Sequence, residues 1–353
     1  MSIVKIQGPN EMQFGIHYEY DTESLPLGQG GMGTVYEGYC INDNNGEYFP
    51  VAIKQVSNTS TDLIERAIRE ASIQIDHPNL LRMYGFISNM EWNSELGRYA
   101  PQHYLVMERL IGVDLDTLIG GVTMNKSGVQ IPYAKELYYK YVNNRRDTVI
   151  EIMKGVLEGV KELHSKGYIH RDIDPSNIMI TLDNKVKLID YGISRSLTAN
   201  NQSDRYKTAS GLMIGKIDYA APELISGDIS KHGIPSDIYS LGIMLYQLFV
   251  GSLPFIGDQT AVMRMQLMEP MPVQNIQDLT IREVVYKATQ KEVGDRYQSV
   301  DEFLSDLLTD RKEDEVDGHG SPEVSNIPTW AWILSVVIGL LVGVGIAMII
   351  NFI

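Results

Sequence analysis

The sequence predicts an α+β chain in two unequal parts followed by one membrane-spanning helix. Three observations carry that expectation. Residues 15–110 alternate apolar and polar positions in short runs broken by Gly, Asn and Pro, with one helical stretch at 61–76. This is the pattern of a mostly antiparallel sheet with a single helix. From about residue 147 onward the apolar positions recur at helical spacing instead. The last 24 residues, WAWILSVVIGLLVGVGIAMIINFI, contain no charge at all.

Taken in order, MSIVKIQGPNEMQF has no apolar core run and no small-residue cleavage site, so it does not read as a signal peptide. Residues 1–16 are set apart as an N-terminal extension, and 17–308 as the folded domain, divided near residue 110. Two polar excursions, 88–102 and 119–146, read as loop insertions, with Tyr138, Tyr139 and Tyr141 expected in surface packing. In DTVIEIMKGVLEGVKELHSKG, the residues Ile150, Met153, Val156, Leu157, Val160 and Leu163 form one helical face. A second such helix, SDIYSLGIMLYQLFVG, ends at Gly251 with Pro254 beyond it.

The stretch 309–328 is acidic and rich in Gly, Pro and Ser, a composition that cannot bury a core and reads as a juxtamembrane linker. The charge-free run at 330–353, within an expected span of 329–353, rises about 36 Å as a helix, enough to cross a bilayer with some tilt. Trp330 and Trp332 stand where interfacial aromatic anchors belong. With no export signal ahead of it and almost nothing beyond, this span is expected to be a tail anchor that leaves the larger part in the cytosol. Gly339 and Gly343 make a G-x-x-x-G pair that permits close approach of two helices, and with it a homodimer through the span.

Charge and cysteine content remove whole classes of function. A formal charge of −15 argues against a nucleic-acid partner, since phosphate binding needs an excess of Lys and Arg. Cys40 is the single cysteine, so no intramolecular disulfide or cysteine-rich zinc site forms. It reads as a small buried residue in a strand.

The motifs are more specific. LGQGGMGTVY, residues 27–36, contains G-x-G-x-x-G, which alone is weak because dinucleotide-binding folds share it. Here Val35 follows at the next required position, the continuation is strand-like rather than helical, and VAIK ends at Lys54. Further along come His170-Arg171-Asp172 with Asn177 five residues after the aspartate, Asp190-Tyr191-Gly192, Ala221-Pro222-Glu223, Asp237 in SDIYSLG and Arg296 in GDRYQS. In this order, over residues 27–296, the motifs resemble those of a eukaryotic-like protein kinase. LGQGGMGTVY is most similar to bacterial membrane serine/threonine kinases.

That resemblance implies a bilobal protein-kinase fold, with an N-lobe sheet plus one helix and a mostly helical C-lobe. It also implies ATP and Mg2+ as cofactors. Leu27, Gly28, Gln29, Gly30, Gly31, Met32, Gly33, Thr34 and Val35 would cover the nucleotide, with Met32 at the loop tip and Lys54 on the α- and β-phosphates. Met107 would be the gatekeeper, the Glu108 carbonyl and Leu110 amide would meet the adenine edge, and Asp114 the ribose. Ala52 and Met179 would sandwich the base together with Val35.

Periodicity leaves Glu65 and Glu70 on opposite flanks of the helix at 61–76 and does not choose between them as the partner of Lys54. The resemblance selects Glu70, which follows an arginine. It further makes Asp172 the acceptor of the substrate proton, and Asn177 and Asp190 the metal ligands. Arg171 would pair with a phosphorylated activation segment, with Thr208 and Ser210 as the modified positions.

Two positions depart from the family. Asp174 stands where serine/threonine kinases carry a lysine, and Lys216 stands where a threonine precedes A-P-E. The complementary change predicts a relocated charge, with the Lys216 ammonium within ~4 Å of Asp174. The function expected is transfer of the ATP γ-phosphate to Ser and Thr hydroxyls of protein substrates, with autophosphorylation. A nucleotide-binding pseudokinase that signals by interaction is the alternative.

Overall fold

A computed structural model describes residues 2–57, 61–93, 97–124, 129–190, 195–196 and 216–309. The first part is built on one antiparallel sheet. Its elements are β1 (Ile3–Ile6), α1 (Pro9–Phe14), β2 (Ile16–Asp21), β3 (Gly28–Gly30), β4 (Gly33–Asn42), β5 (Tyr48–Val56), α2 (Thr61–Ser72), β6 (Met83–Asn93) and β7 (Arg98–Glu108). The strand order is β1-β2-β4-β5-β7-β6, with β3 pairing β4.

Several of these differ from the sequence-based expectation. The segment set apart as an extension supplies an edge strand, with Ile3 opposite Asp21 and Ile6 opposite Tyr18. The short α1 is a second helix on this lobe. The excursion at 88–102 belongs to a long hairpin in which Ser88 to Asn93 pair with Arg98 to His103. Helix α2 stops at Ser72, whose hydroxyl caps the Arg69 carbonyl at 2.6 Å. Beyond it Ile73 and Ile75 are both buried, an alternation with period two that an extended chain produces and a helix does not.

The second part begins after the 109–111 crossing. It comprises β8 (Gly112–Asp114), α3 (Leu115–Ile119), α4 (Pro132–Asn143), α5 (Arg145–Ser165), β9 (Tyr168–Ile169), β10 (Ile178–Thr181), β11 (Val186–Leu188), β12 (Arg195–Ser196), α6 (Pro222–Ser226), α7 (Ile234–Val250), α8 (Gln259–Met268), α9 (Leu279–Ala288) and α10 (Val300–Leu308). The excursion at 119–146 therefore carries the helix α4. Its Tyr141 is core rather than surface: it is 1% exposed and its hydroxyl donates to the Leu248 carbonyl at 2.6 Å.

Helix α7 is buried on every side from Ser236 to Leu248, the signature of a central helix. It ends at Gly251 in the left-handed conformation, φ 91°, where an L side chain would be strained. Helix α5 buries Val149, Ile152, Met153, Val156, Leu157, Val160 and Leu163, leaving Ile150 half-buried at the margin of the face. Cys40 is buried in β4.

One apolar core runs from the inner face of the sheet (Ala52, Leu105, Met107) through the catalytic strands to α7 and α9. A separate core on the outer face joins Ile6, Tyr18, Val51, Ile53 and Val106. Among the described residues no helix is long and apolar enough to cross a membrane, and the expected linker and span at 310–353 lie outside them.

Candidate active site

The loop before β10 is positioned by a single carboxylate. Asp237, fully buried at the start of α7, accepts hydrogen bonds from the His170 amide at 2.8 Å and the Arg171 amide at 2.7 Å, and meets His164 Nε2 at 2.8 Å. Burial alone would raise its pKa, but the bonds from His164 and the loop hold it below the usual carboxylate range. Asp237 is thus the clamp of this loop. The clamp holds Arg171 at φ 67°, a left-handed backbone rare for a non-glycine residue.

Asp172 follows, and the next turn is a 3-10 helix over 175–177 capped by Asp174. Asp174 is 3% exposed. Its Oδ1 accepts from the Ser176 amide at 2.7 Å, the Ser176 hydroxyl at 2.6 Å and the Lys216 ammonium at 2.8 Å. Asn177 Nδ2 donates to the Asp172 carbonyl at 2.8 Å and to Asp174 Oδ2 at 3.2 Å.

Across the cleft, Lys54 on β5 has its ammonium 3.9 Å from Glu70 Oε2 on α2 and 3.9 Å from the Met32 sulfur at the glycine-loop tip. Glu65, the other candidate, faces Arg69 at 3.8 Å on the exposed side of the helix. Burial raises the Glu70 pKa, and the Lys54 charge pulls it back only in part. Asp172 is pushed up to about 6 by burial and by the neighbouring Asp174 and Asp190 charges, with Arg66 opposing. A carboxylate so shifted is matched to accepting a proton near neutral pH.

The nucleotide-facing residues converge as well. β3 and β4 form a tight hairpin with Gly31 and Met32 at its turn. Gly33 has φ 141°, and a side chain there would collide with the Gln55 carbonyl. A Cβ at Gly28, Gly30 or Gly31 would meet nothing, which leaves open space along this loop. Ala52 and Met107 are cross-strand partners, Val35 lies opposite Lys54, and Met179 on β10 lies opposite Asp114.

Asp114, expected at a ribose, caps α3: its oxygens accept from the Thr117 amide at 2.7 Å and hydroxyl at 2.9 Å. The Glu108 side chain ties the two lobes, accepting from the Arg82 amide at 2.7 Å and from Lys187 at 2.6 Å. Leu110 is half-buried against the main core, while Leu27 at the loop entry is exposed.

The donor set fits a hard divalent cation. The Asn177 amide nitrogen is engaged, so its carbonyl oxygen is the atom left to coordinate, and Asp190 is a partly exposed carboxylate that follows Ile189, whose amide donates to the Asn177 backbone carbonyl at 2.9 Å. Among the described residues no three His, Cys, Asp or Glu side chains form a cage. Such a partial oxygen set suits a cation that completes its shell with water and phosphate. Tyr191, Gly192, Thr208 and Ser210 lie outside the described residues.

Three features carry further weight. Lys216 precedes a 3-10 turn over 217–219, whose carbonyls at Ile217 and Asp218 accept from the buried Gln266 at 3.4 and 2.5 Å. Glu223 and Arg296 form a buried two-pronged ion pair, each bond 2.8 Å. Arg66, on which sequence reading was silent, reaches Asp190 at 3.4 Å and Asp172 at 4.0 Å. Its spacing four residues before Glu70 was the one available signal.

These elements define a two-lobed phosphotransfer scaffold, and the comparisons agree. Residues 22–316 match the protein kinase domain. The chain therefore belongs to the protein kinase family. It is 31% identical over 307 residues to a probable serine/threonine-protein kinase PknB of Lactococcus lactis, covering 82% of this chain and 42% of the relative. It is 34% identical over 213 residues to serine/threonine-protein kinase PknB of Mycolicibacterium smegmatis, covering 59% and 30%. A homologous PknB of Mycobacterium leprae is 30% identical over 239 residues, covering 66% and 33%. The chain thus spans about two-fifths or less of the length of these relatives.

Proposed function

We propose that this chain is a protein serine/threonine kinase that transfers the γ-phosphate of ATP to Ser and Thr hydroxyls of protein substrates, with magnesium. The observation that carries the reading is the convergence of Lys54, Glu70, Asp172, Asn177 and Asp190 on one cleft beneath a glycine hairpin. Lys54, oriented by Glu70, sets a point charge against the phosphates. Asn177 and Asp190 would hold the metal, which when bound neutralises charge on the phosphate oxygens. Asp172 accepts the hydroxyl proton as the substrate oxygen attacks.

In serine/threonine kinases a loop lysine supplies a cation beside the γ-phosphate. Here the 2.8 Å contact to Asp174 supports Lys216 as its replacement. Burial would depress the Lys216 ammonium, but the Asp174 hydrogen bond and charge hold its pKa above the ordinary value. It therefore remains cationic at working pH.

The finer reading follows from sequence. The apolar span at 329–353 holds the protein in a bacterial cell membrane, with the kinase domain on the cytosolic side. Gly339 and Gly343 pair two copies, which raises local concentration for autophosphorylation in trans at Thr208 or Ser210. Arg171 receives the resulting phosphate.

The test is a radiolabelled-ATP assay on the full chain in detergent, beside Asp190→Asn. Label should enter a generic protein substrate and the chain itself in the unaltered protein, and not in the variant. Nucleotide binding with no transfer by either would favour the pseudokinase.

A further inference from the structure

Arg66 has no role in the mechanism above. It lies on α2 one turn before Glu70, and that spacing sets both residues toward the cleft. Its Nη2 stands 3.4 Å from Asp190 Oδ1, in hydrogen-bond range, and 4.0 Å from Asp172 Oδ2. The Arg66 side chain is only 15% exposed, and its buried Nε has no hydrogen-bond partner among the described residues. A guanidinium withdrawn so far from water is costly unless opposite charges compensate it. The aspartates it faces supply that compensation, and it in turn relieves the repulsion between them.

Asp190 is also the carboxylate assigned to the metal, so this inference rests on the kinase reading. Magnesium demands near-octahedral oxygen ligands at about 2.0–2.1 Å, and a guanidinium bonded to the same oxygen obstructs that shell sterically and by charge. We propose that Arg66 is an internal counter-ion that competes with the divalent cation for Asp190. Loading of metal and nucleotide then requires the guanidinium to leave. Glu70 rides on the same short helix, so the exchange couples metal loading to the setting of the Lys54–Glu70 pair. Arg66 thereby sets the cation concentration at which the site fills.

The experiment titrates the full chain in detergent with magnesium chloride at fixed ADP, reading nucleotide binding by calorimetry. In Arg66→Met the half-saturating magnesium concentration should fall by about 3- to 10-fold, the effect of one partly buried charge contact. ADP affinity in excess chelator should change by less than about twofold, because the competition is with the metal. Arg66→Gln carries the same expectation should the Met variant fail to fold. An unchanged magnesium midpoint overturns the proposal. So does weaker ADP binding both with and without metal, which would mean that Arg66 holds the phosphates instead. If the unaltered chain shows no magnesium-dependent ADP binding, the kinase reading falls and the proposal falls with it.

Discussion

Lys216 is 42 residues from Asp174 in sequence, yet its ammonium lies 2.8 Å from that carboxylate and 3.1 Å from the Ser176 hydroxyl. Two unrelated changes of charge at a half-closed site would each leave an ion without a partner, at a cost of several kcal/mol. The observed contact removes that cost. If Lys216 also meets charge that develops on the transferred phosphoryl group, Lys216→Ala should lower kcat by about one to three orders of magnitude with a smaller change in KM for ATP. The paired change Asp174→Lys with Lys216→Thr should restore much of the loss. Steady-state kinetics of the three variants decide it, and a Lys216→Ala enzyme within threefold of the unaltered kcat would sink the idea. This exchange was legible because motif positions fix which residues meet. Arg66 was not legible. Its contacts cross to Asp172 and Asp190 more than a hundred residues away, and the one local signal, its spacing four residues before Glu70, does not say what it meets on the opposite lobe.

At the scale of elements, legibility followed length. Helix α5 has enough turns for its apolar face to rise above noise, and α7 shows as a long apolar run whose end Gly251 marks by a conformation other residues avoid. Short elements did not. β1 has four residues, too few to show alternation, and its only signal is its pairing with β2. The excursion at 88–102 reads as an insertion because it is rich in polar residues and its apolar ones (Met90, Trp92, Tyr99) are exposed, with strand pairing rather than burial holding it. The packing of this extension has an energetic consequence. Ile6 is fully buried in the outer-face core beside Tyr18, Ile53 and Val106. Ile6→Ala should therefore destabilise the folded domain by about 2–4 kcal/mol, the cost of a core cavity. Urea unfolding at constant m-value measures it. A loss under about 0.5 kcal/mol, the usual limit for surface changes, would mean that residues 1–16 add little to the stability of the domain.

At the scale of the whole molecule, the continuous core joins the two lobes, and the Glu108–Lys187 pair spans the crossing between them. Buried ionisable groups then make stability depend on pH. Several of them, Glu70 and Asp172 among them, lie in the nucleotide cleft, where metal and phosphate would mask their titration. Lys291 is different. Its ammonium donates to the Tyr239 hydroxyl at 2.9 Å and the Gln266 carbonyl at 2.8 Å, below the turn that carries Lys216. Burial, helped by the Arg296 charge nearby, lowers its pKa from 10.5 to about 8. Between those two values the unfolded chain holds a proton that the folded chain has released. By linkage, stability therefore rises with pH across that window, and below about pH 8 the full penalty of a buried ammonium is present. Relative to Lys291→Met, which lacks the group, the unaltered protein should gain on the order of 1 kcal/mol from pH 7.5 to 9.5, a figure reduced for solvent screening of a partly exposed amine. Referencing to the variant cancels every other group that titrates in the range. Urea midpoints of both proteins at the two pH values are the measurement. A difference that stays flat, or moves toward the variant as pH rises, would mean that Lys291 keeps its proton in the fold and that Tyr239 and Gln266 solvate it fully.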